Sequence, residues 1–240
     1  LAVLVHDGAH NLLFSDPKVN DFTSQWLCAY PIFQDNRVYR PYHLKHHRFT
    51  ETKDDPDLSL SAPFPIKKDS FYRKIFRDLT GITGYKRYSQ ALNSILNTEA
   101  KNSKAKLNKV WHKIHGFLIT NTIIFLMISI FFHWSLFFLL WWLPAFTYYS
   151  LIIRIRNIAE HSVTPGNNNF DNTRTTLTNP LVRFLMAPHR VNYHLEHHLF
   201  MMCPWYNLPK AHSMMIENGY EDRMCIANSY RSVLMKAVSA

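Results

Sequence analysis

The stretch IHGFLITNTIIFLMISIFFHWSLFFLLWWLPAFTYYSLII, Ile114 to Ile153, runs for forty residues without an Asp, Glu, Lys or Arg. As continuous helix it would extend roughly 60 Å, about two bilayer cores rather than one. It therefore reads as a transmembrane hairpin at about 114–153, with its turn near His133 and Trp134. A buried helix of a soluble protein rarely continues so far without charge. His133 is then a polar residue at the hairpin tip.

Charge assigns the two sides. Between Lys86 and Lys113 lie seven Lys or Arg against one acid, Glu99, and Lys67, Lys68, Arg73, Lys74 and Arg77 extend the basic region upstream. Arg154 and Arg156 follow the second span, while the tip carries no charge. By the positive-inside rule both open ends of the hairpin face the cytoplasm. The net charge of +10 reads as attraction to anionic headgroups. No nucleic-acid partner is expected, because no basic groove with interleaved aromatics accompanies the hairpin.

Outside the hairpin the chain concentrates histidine. HDGAH (His6 to His10), HLKHH (His43 to His47) and HLEHH (His194 to His198) hold eight of the fourteen histidines. Helical i, i+4 and i, i+3, i+4 spacing brings His6 with His10, His43 with His46 and His47, and His194 with His197 and His198 to one helix face each. Each cluster thus reads as a half-shell for a cation. Imidazole suits Zn, Cu, Fe or Ni, and eight histidines are twice what one closed zinc site needs, which points to two ions. No Glu-x-x-His, HExxH or Cys-x-x-Cys occurs, and Cys28, Cys203 and Cys225 are scattered. Carboxylate-bridged di-iron, zinc hydrolase, zinc finger and iron–sulfur sites therefore lack their ligands. A histidine-rich dinuclear iron site remains. The second and third clusters flank an even number of crossings, so they share one side of the membrane.

Six glycines in 240 residues and the helical spacing of the clusters favour an all-α architecture in one domain, residues 1–240. DFTSQWLCAYPIF, Asp21 to Phe33, is apolar but too short to cross and is interrupted by Pro31, which suggests an interfacial or re-entrant helix. Pro41 suits the first turn of the His43 helix. Asp54, Asp55 and Asp57 read as a solvated turn with capping duty rather than as partners orienting imidazoles. Asn192 is a candidate cap for the third cluster, and Pro204 and Pro209 read as stops beyond it. LAVLV, Leu1 to Val5, looks like the tail of a transmembrane helix truncated at its start, and no cleavable signal pattern precedes it.

HDGAH, HLKHHRFT and NYHLEHHLF, in that order around a hairpin, resemble the three histidine boxes of the integral-membrane fatty acid desaturase family. The resemblance covers Leu1 to about His212, and bacterial acyl-lipid or acyl-CoA desaturases are especially similar around YHLKHHRFTETKDDPDLSLSAPFP and NYHLEHHLFMMCPWYNLPKAH. It implies a helical membrane stem under a cytoplasmic cap holding two Fe ions, with O2 as co-substrate and a cis double bond as product. The substrate implied is a fatty acyl lipid or acyl-CoA, and the location a bacterial inner membrane crossed several times, with the boxes facing the cytoplasm. Lacking an HPGG heme motif, the chain implies a separate electron donor of ferredoxin or cytochrome b5 type. The family site also carries a histidine four residues after an asparagine that holds a metal-bound water, and RIRNIAEHS supplies Asn157 and His161 at that spacing. The implied ligand set is His6, His10, His43, His46, His47, His161, His194, His197 and His198, with Asn157 acting through water. His112, His115, His133, His189 and His212 match no ligand position; all read as structural or surface residues, His189 lying close enough to the third box to support it from behind.

Departures from the family pattern are MMCP after the third box and the missing first helices, without which stem and tunnel do not close and the fragment is expected to be inactive. Two other functions fit the same residues. A hydroxylase or carotenoid ketolase of the same superfamily would begin with the same C–H cleavage; a non-enzymatic membrane receptor or metal-handling protein would need a polar permeation path. The hairpin offers little for such a path beyond Asn121, Thr120, Thr122, Ser129 and Ser135.

Overall fold

The computed structural model describes residues 1–166 and 168–239. Among these the architecture is all-α, with two short pairs of parallel strands, Ile66–Lys67 beside Val238–Ser239 and Thr175–Thr176 beside Ile226–Ala227.

The apolar hairpin forms as two helical limbs. The first, Ser103–Phe131, starts where the Asn102 side chain accepts a hydrogen bond from the Ala105 N–H at 2.8 Å. It therefore begins well before Ile114 and takes Lys104, Lys106, Lys109 and Lys113 into its first turns. The chain reverses at His133 and Ser135, joined by a 2.7 Å hydrogen bond. The second limb runs through a π-helical turn, Phe137–Trp142, a short helix, Leu143–Phe146, and after a bend at Thr147 the helix Tyr148–His161. Pro144 removes one backbone donor just before that bend. Both limbs are long and apolar enough to cross a membrane, and only 17% and 6% of their most apolar windows are buried. Ile130, Phe131, Phe132 and Leu140 are each at least 66% exposed. The core helix of a soluble protein would be covered, whereas these two limbs are largely exposed.

The segment from Pro17 to Ile32 folds as three consecutive helical turns, Pro17–Phe22, Thr23–Ala29 and Tyr30–Ile32, and ends at Phe33 in the left-handed region (φ 60°). It wedges between the first-box helix and the first limb. Gly116 makes this possible, since a Cβ there would lie 2.1 Å from the Tyr30 ring.

Three local expectations are corrected. Pro41 sits inside the second-box helix, Asn36–Phe49, because Asp35 rather than a residue next to Pro41 caps it, accepting from the Arg37 N–H at 2.9 Å. Asn192 caps nothing; its side chain donates to the Thr176 carbonyl at 3.1 Å, and Tyr193 opens the third-box helix, His194–Leu199, without a side-chain cap. Pro209 does not end structure but sits in the first turn of the helix Leu208–Glu217, where its missing N–H costs nothing.

Candidate metal centre

Four segments deliver histidine to one place. The helix Ala2–Ala9 carries His6, with His10 at its C-cap; Asn36–Phe49 carries His43, His46 and His47; His194–Leu199 carries His194, His197 and His198; and His161 closes the helix Tyr148–His161. Their ring nitrogens fall into two groups, each with all its candidate ligand atoms within 4.8 Å of one another. One contains His6, His10, His43, His47 and His197, the other His46, His161, His194 and His198.

His6 and His10 do share one group, but the two His-x-x-His-His boxes are not one half-shell each, as their spacing suggests. On a helix the i+3 and i+4 positions lie about 100° apart, so a box helix running between the groups serves both. His43 and His47 join the first group while His46 turns to the second; His194 and His198 join the second while His197 turns to the first. Every His-x-x-His-His box therefore ties the two groups together.

Nitrogen meets nitrogen at the centre. Nε2 of His43 lies 3.0 Å from Nε2 of His10 and 3.1 Å from that of His47, which is 3.1 Å from Nε2 of His197. In the second group Nε2 of His194 lies 2.8 Å from that of His161 and 3.1 Å from that of His198. Neutral imidazoles have one donor and one acceptor nitrogen, so rings that converge through the same atom cannot all be satisfied by each other. Several are held on the far side by acceptors. His46 Nδ1 lies 2.8 Å from Asp55, His6 Nδ1 3.2 Å from Asp7, and His198 Nδ1 3.1 Å from the Thr50 hydroxyl. A proton fixed at Nδ1 leaves the Nε2 lone pair facing inward, the arrangement that metal-binding imidazoles adopt.

Burial keeps His10, His43, His194, His197 and His198 uncharged. Desolvation, with neighbouring imidazoles adding to it, holds His43, His194, His197 and His198 well below the ordinary value of 6.5 and His10 down to about 3. Neutral imidazole is the form that binds metal. The donor set thus fits two nitrogen-coordinated cations.

A cavity of about 240 Å³ adjoins both groups, lined in part by His6, His46, His161, His194, Asn157 and Arg156. Asn157 stands one helical turn before His161 on the same helix, facing this cavity.

The supporting residues differ from the sequence reading. Asp55 is buried and contacts His46 directly while also accepting the Glu51 and Asp57 N–H groups, so the acidic turn both caps itself and orients an imidazole. His189 reaches Asp7 at 3.0 Å from a left-handed backbone (φ 53°), and the other Asp7 oxygen contacts His6. His212, expected to be structural or surface, is structural; it lies 2.6 Å from the fully buried Glu196 of the third box, which also accepts from the Thr175 hydroxyl. Arg174 carried no motif, yet its guanidinium donates to the carbonyls of Ala159, Ser162 and Val163 at 2.8 to 3.0 Å and clamps the end of the His161 helix. His112, His115 and His133 stand apart, with His115 on the Trp111 carbonyl and His133 at the hairpin tip.

The sequence model of the family described as "Fatty acid desaturase" matches residues 1–226. The chain is also similar to dihydrorhizobitoxine desaturase of Bradyrhizobium elkanii, 26% identical over 239 residues. That match takes in 92% of this chain but 65% of the relative, so the chain spans about two thirds of the length of the curated relative it matches.

Proposed function

The chain belongs to the fatty acid desaturase family, and from that premise we propose that it is the catalytic domain, residues 1–240, of an oxygen-dependent fatty acyl desaturase that introduces a cis double bond using a histidine-ligated di-iron centre. The single observation that carries this reading is the convergence of nine imidazoles into two groups beside one cavity. His6, His10, His43, His47 and His197 would hold one iron, and His46, His161, His194 and His198 the other, with Asn157 positioning a water on that second ion. Bound iron would supply the activation of O2 that cleavage of an unactivated C–H bond requires. Over the reaction a saturated CH2–CH2 pair, O2, two electrons and two protons yield the alkene and two waters.

The protein's own part is positional. Asp55, Asp7 and Thr50 hold imidazole protons at Nδ1, and Arg174 fixes the helix end that presents His161. The buried rings exclude bulk water from the centre. An acyl chain of a lipid or acyl-CoA would enter the cavity, and the electrons would come from a separate ferredoxin or cytochrome b5 type protein. The uncharged stretch of the two limbs, Ile114 to Ile153, would span a bacterial inner membrane with both open ends, and hence the boxes, on the cytoplasmic side, as the charge asymmetry around an uncharged tip supports.

The test is mass spectrometry of lipids from cells expressing the complete protein, with and without oxygen. An acyl product lighter by two hydrogens, formed only with oxygen, is expected. A product heavier by one oxygen would replace this reading by hydroxylation, and unchanged lipids with tightly held zinc would overturn it.

A further inference from the structure

Between the second box and the first limb lie two helices, Lys68–Leu79 and Ile82–Leu96, that the metal centre does not use. On the first, Phe71, Ile75 and Asp78 recur at i, i+4, i+7 and face the protein, whereas Tyr72, Phe76 and Leu79, one residue along, form an outward face. That outward face is apolar: Tyr72 is 65% and Phe76 63% exposed. The second helix repeats the pattern with exposed Ile82, Tyr85, Leu92 and Leu96. Exposed Lys67, Lys68, Arg73, Arg77 and Lys86 flank these apolar faces.

The inner faces fix where the pair sits. Fully buried Asp78 receives the Arg154 guanidinium at 2.8 Å, Arg87 donates to the Ala145 carbonyl at 2.8 Å and the Ser150 hydroxyl at 3.2 Å, and a Cβ on Gly84 would lie 2.2 Å from the Phe146 carbonyl. All these anchors lie between Ala145 and Arg154, where the uncharged run of the second limb gives way to its first arginine. The helix pair is thus bolted to the end of the second limb's uncharged run.

We propose that Lys68–Leu79 and Ile82–Leu96 form a membrane-surface module whose outward face seats in the bilayer interface and whose cations bind anionic phospholipid headgroups. The inference rests on the membrane-spanning reading of the two limbs. A helix with one apolar outward face edged by Lys and Arg has the composition of an interfacial helix, and juxtamembrane cations attract anionic lipid.

The complete protein, reconstituted in nanodiscs of phosphatidylcholine with or without phosphatidylglycerol, tests this. A photoreactive benzoylphenylalanine is placed singly at Tyr72, Phe76 or Tyr85, with Leu126 on the first limb as the spanning control and Lys101 as the aqueous control. Lipid adducts are expected at Tyr72, Phe76, Tyr85 and Leu126 and none at Lys101. Phosphatidylglycerol should be enriched about fivefold over phosphatidylcholine at Tyr72 and Phe76 for one headgroup contact, and Arg73→Glu with Arg77→Glu should abolish the enrichment. Adducts at Leu126 without any at Tyr72, Phe76 or Tyr85 would overturn the module and leave the span intact; absence at Leu126 as well would overturn both. Cross-links from Tyr72 to a second copy of the chain, or adducts without preference between the lipids, would overturn the anionic-lipid assignment.

Discussion

His46 and Asp55 form a buried pair, Nδ1 to Oδ1 at 2.8 Å, in which the carboxylate is fixed by two backbone N–H groups before it ever meets the imidazole. The Asp55 carboxyl is held below its usual value: burial works to raise it, but the His46 contact and those backbone donors outweigh that effect. The acceptor therefore stays ionised and holds the His46 proton at Nδ1. Asp55→Asn can present its amide NH2 to that nitrogen and favour the wrong tautomer. Iron affinity should fall by about ten- to a hundredfold, read by metal titration, with the helical circular dichroism unchanged. Wild-type iron affinity in this variant would remove Asp55 from the centre.

Glu196 is the buried carboxylate of the third box, and it is held by His212 and Thr175. Truncating His212 to Ala leaves a fully buried carboxylate short of one partner. Such a group costs about 1 to 3 kcal/mol or more when unpaired, so His212→Ala should lower the thermal midpoint clearly, whereas Glu196→Gln, which keeps the shape, should lower it less. Equal midpoints for His212→Ala and wild type would show the contact to be energetically idle.

Periodicity made part of this architecture legible in the sequence. The hairpin turn at His133 and the gathering of His6, His10 and the two His-x-x-His-His boxes depend on residue type and spacing, which survive as a string. The division of each box between two groups does not, because it depends on how the box helix is rotated between its neighbours. Asp55 was hidden for a related reason: DDPD has the composition of a solvated turn, and only the approach of the Asn36–Phe49 helix buries one of its carboxylates. His189, His212 and Arg174 act across 182, 16 and 11 or more residues of chain, and no local pattern marks contacts made by such folding-back. Pro41 misled because it is tolerated inside a helix whose cap, Asp35, lies six residues before it.

The low proton affinity of the buried imidazoles sets a pH dependence for the metal-free protein. His43, His194, His197 and His198 stay neutral in the fold well below 6.5, and His10 down to about 3, while in the unfolded chain they protonate near 6.5. Below that pH the unfolded state binds more protons, so stability is complete above about 6.5 and declines as pH falls. Each ring kept neutral costs about 1.4 kcal/mol per pH unit in that range, enough for two or three rings to open the site. Chelator-treated protein should therefore show a denaturation midpoint that drops steeply between about pH 6.5 and about pH 5. A flat midpoint across that window would mean that the rings are hydrated and free to protonate.

His161 and Asn157 give the sharpest test, because they lie outside the three boxes. His161 Nε2 lies 2.8 Å from Nε2 of His194 at the end of a helix clamped by Arg174, and Asn157 faces the adjoining cavity one turn earlier. The second group has four histidines where the first has five, so removing His161 leaves three nitrogens for an ion that the other group would bind with five. Loss of support behind a ligand typically costs ten- to a hundredfold; loss of the ligand itself should exceed that. His161→Ala in the complete protein is expected to retain about half the wild-type iron and to make no unsaturated product. Asn157→Ala should keep its iron and lose activity only partly, since it would act through a water, and His133→Ala at the hairpin tip should be near neutral. Iron content and product are measured together at matched expression. His161→Ala with full iron and normal product would strike it from the ligand set and leave the second ion to His46, His194 and His198 alone.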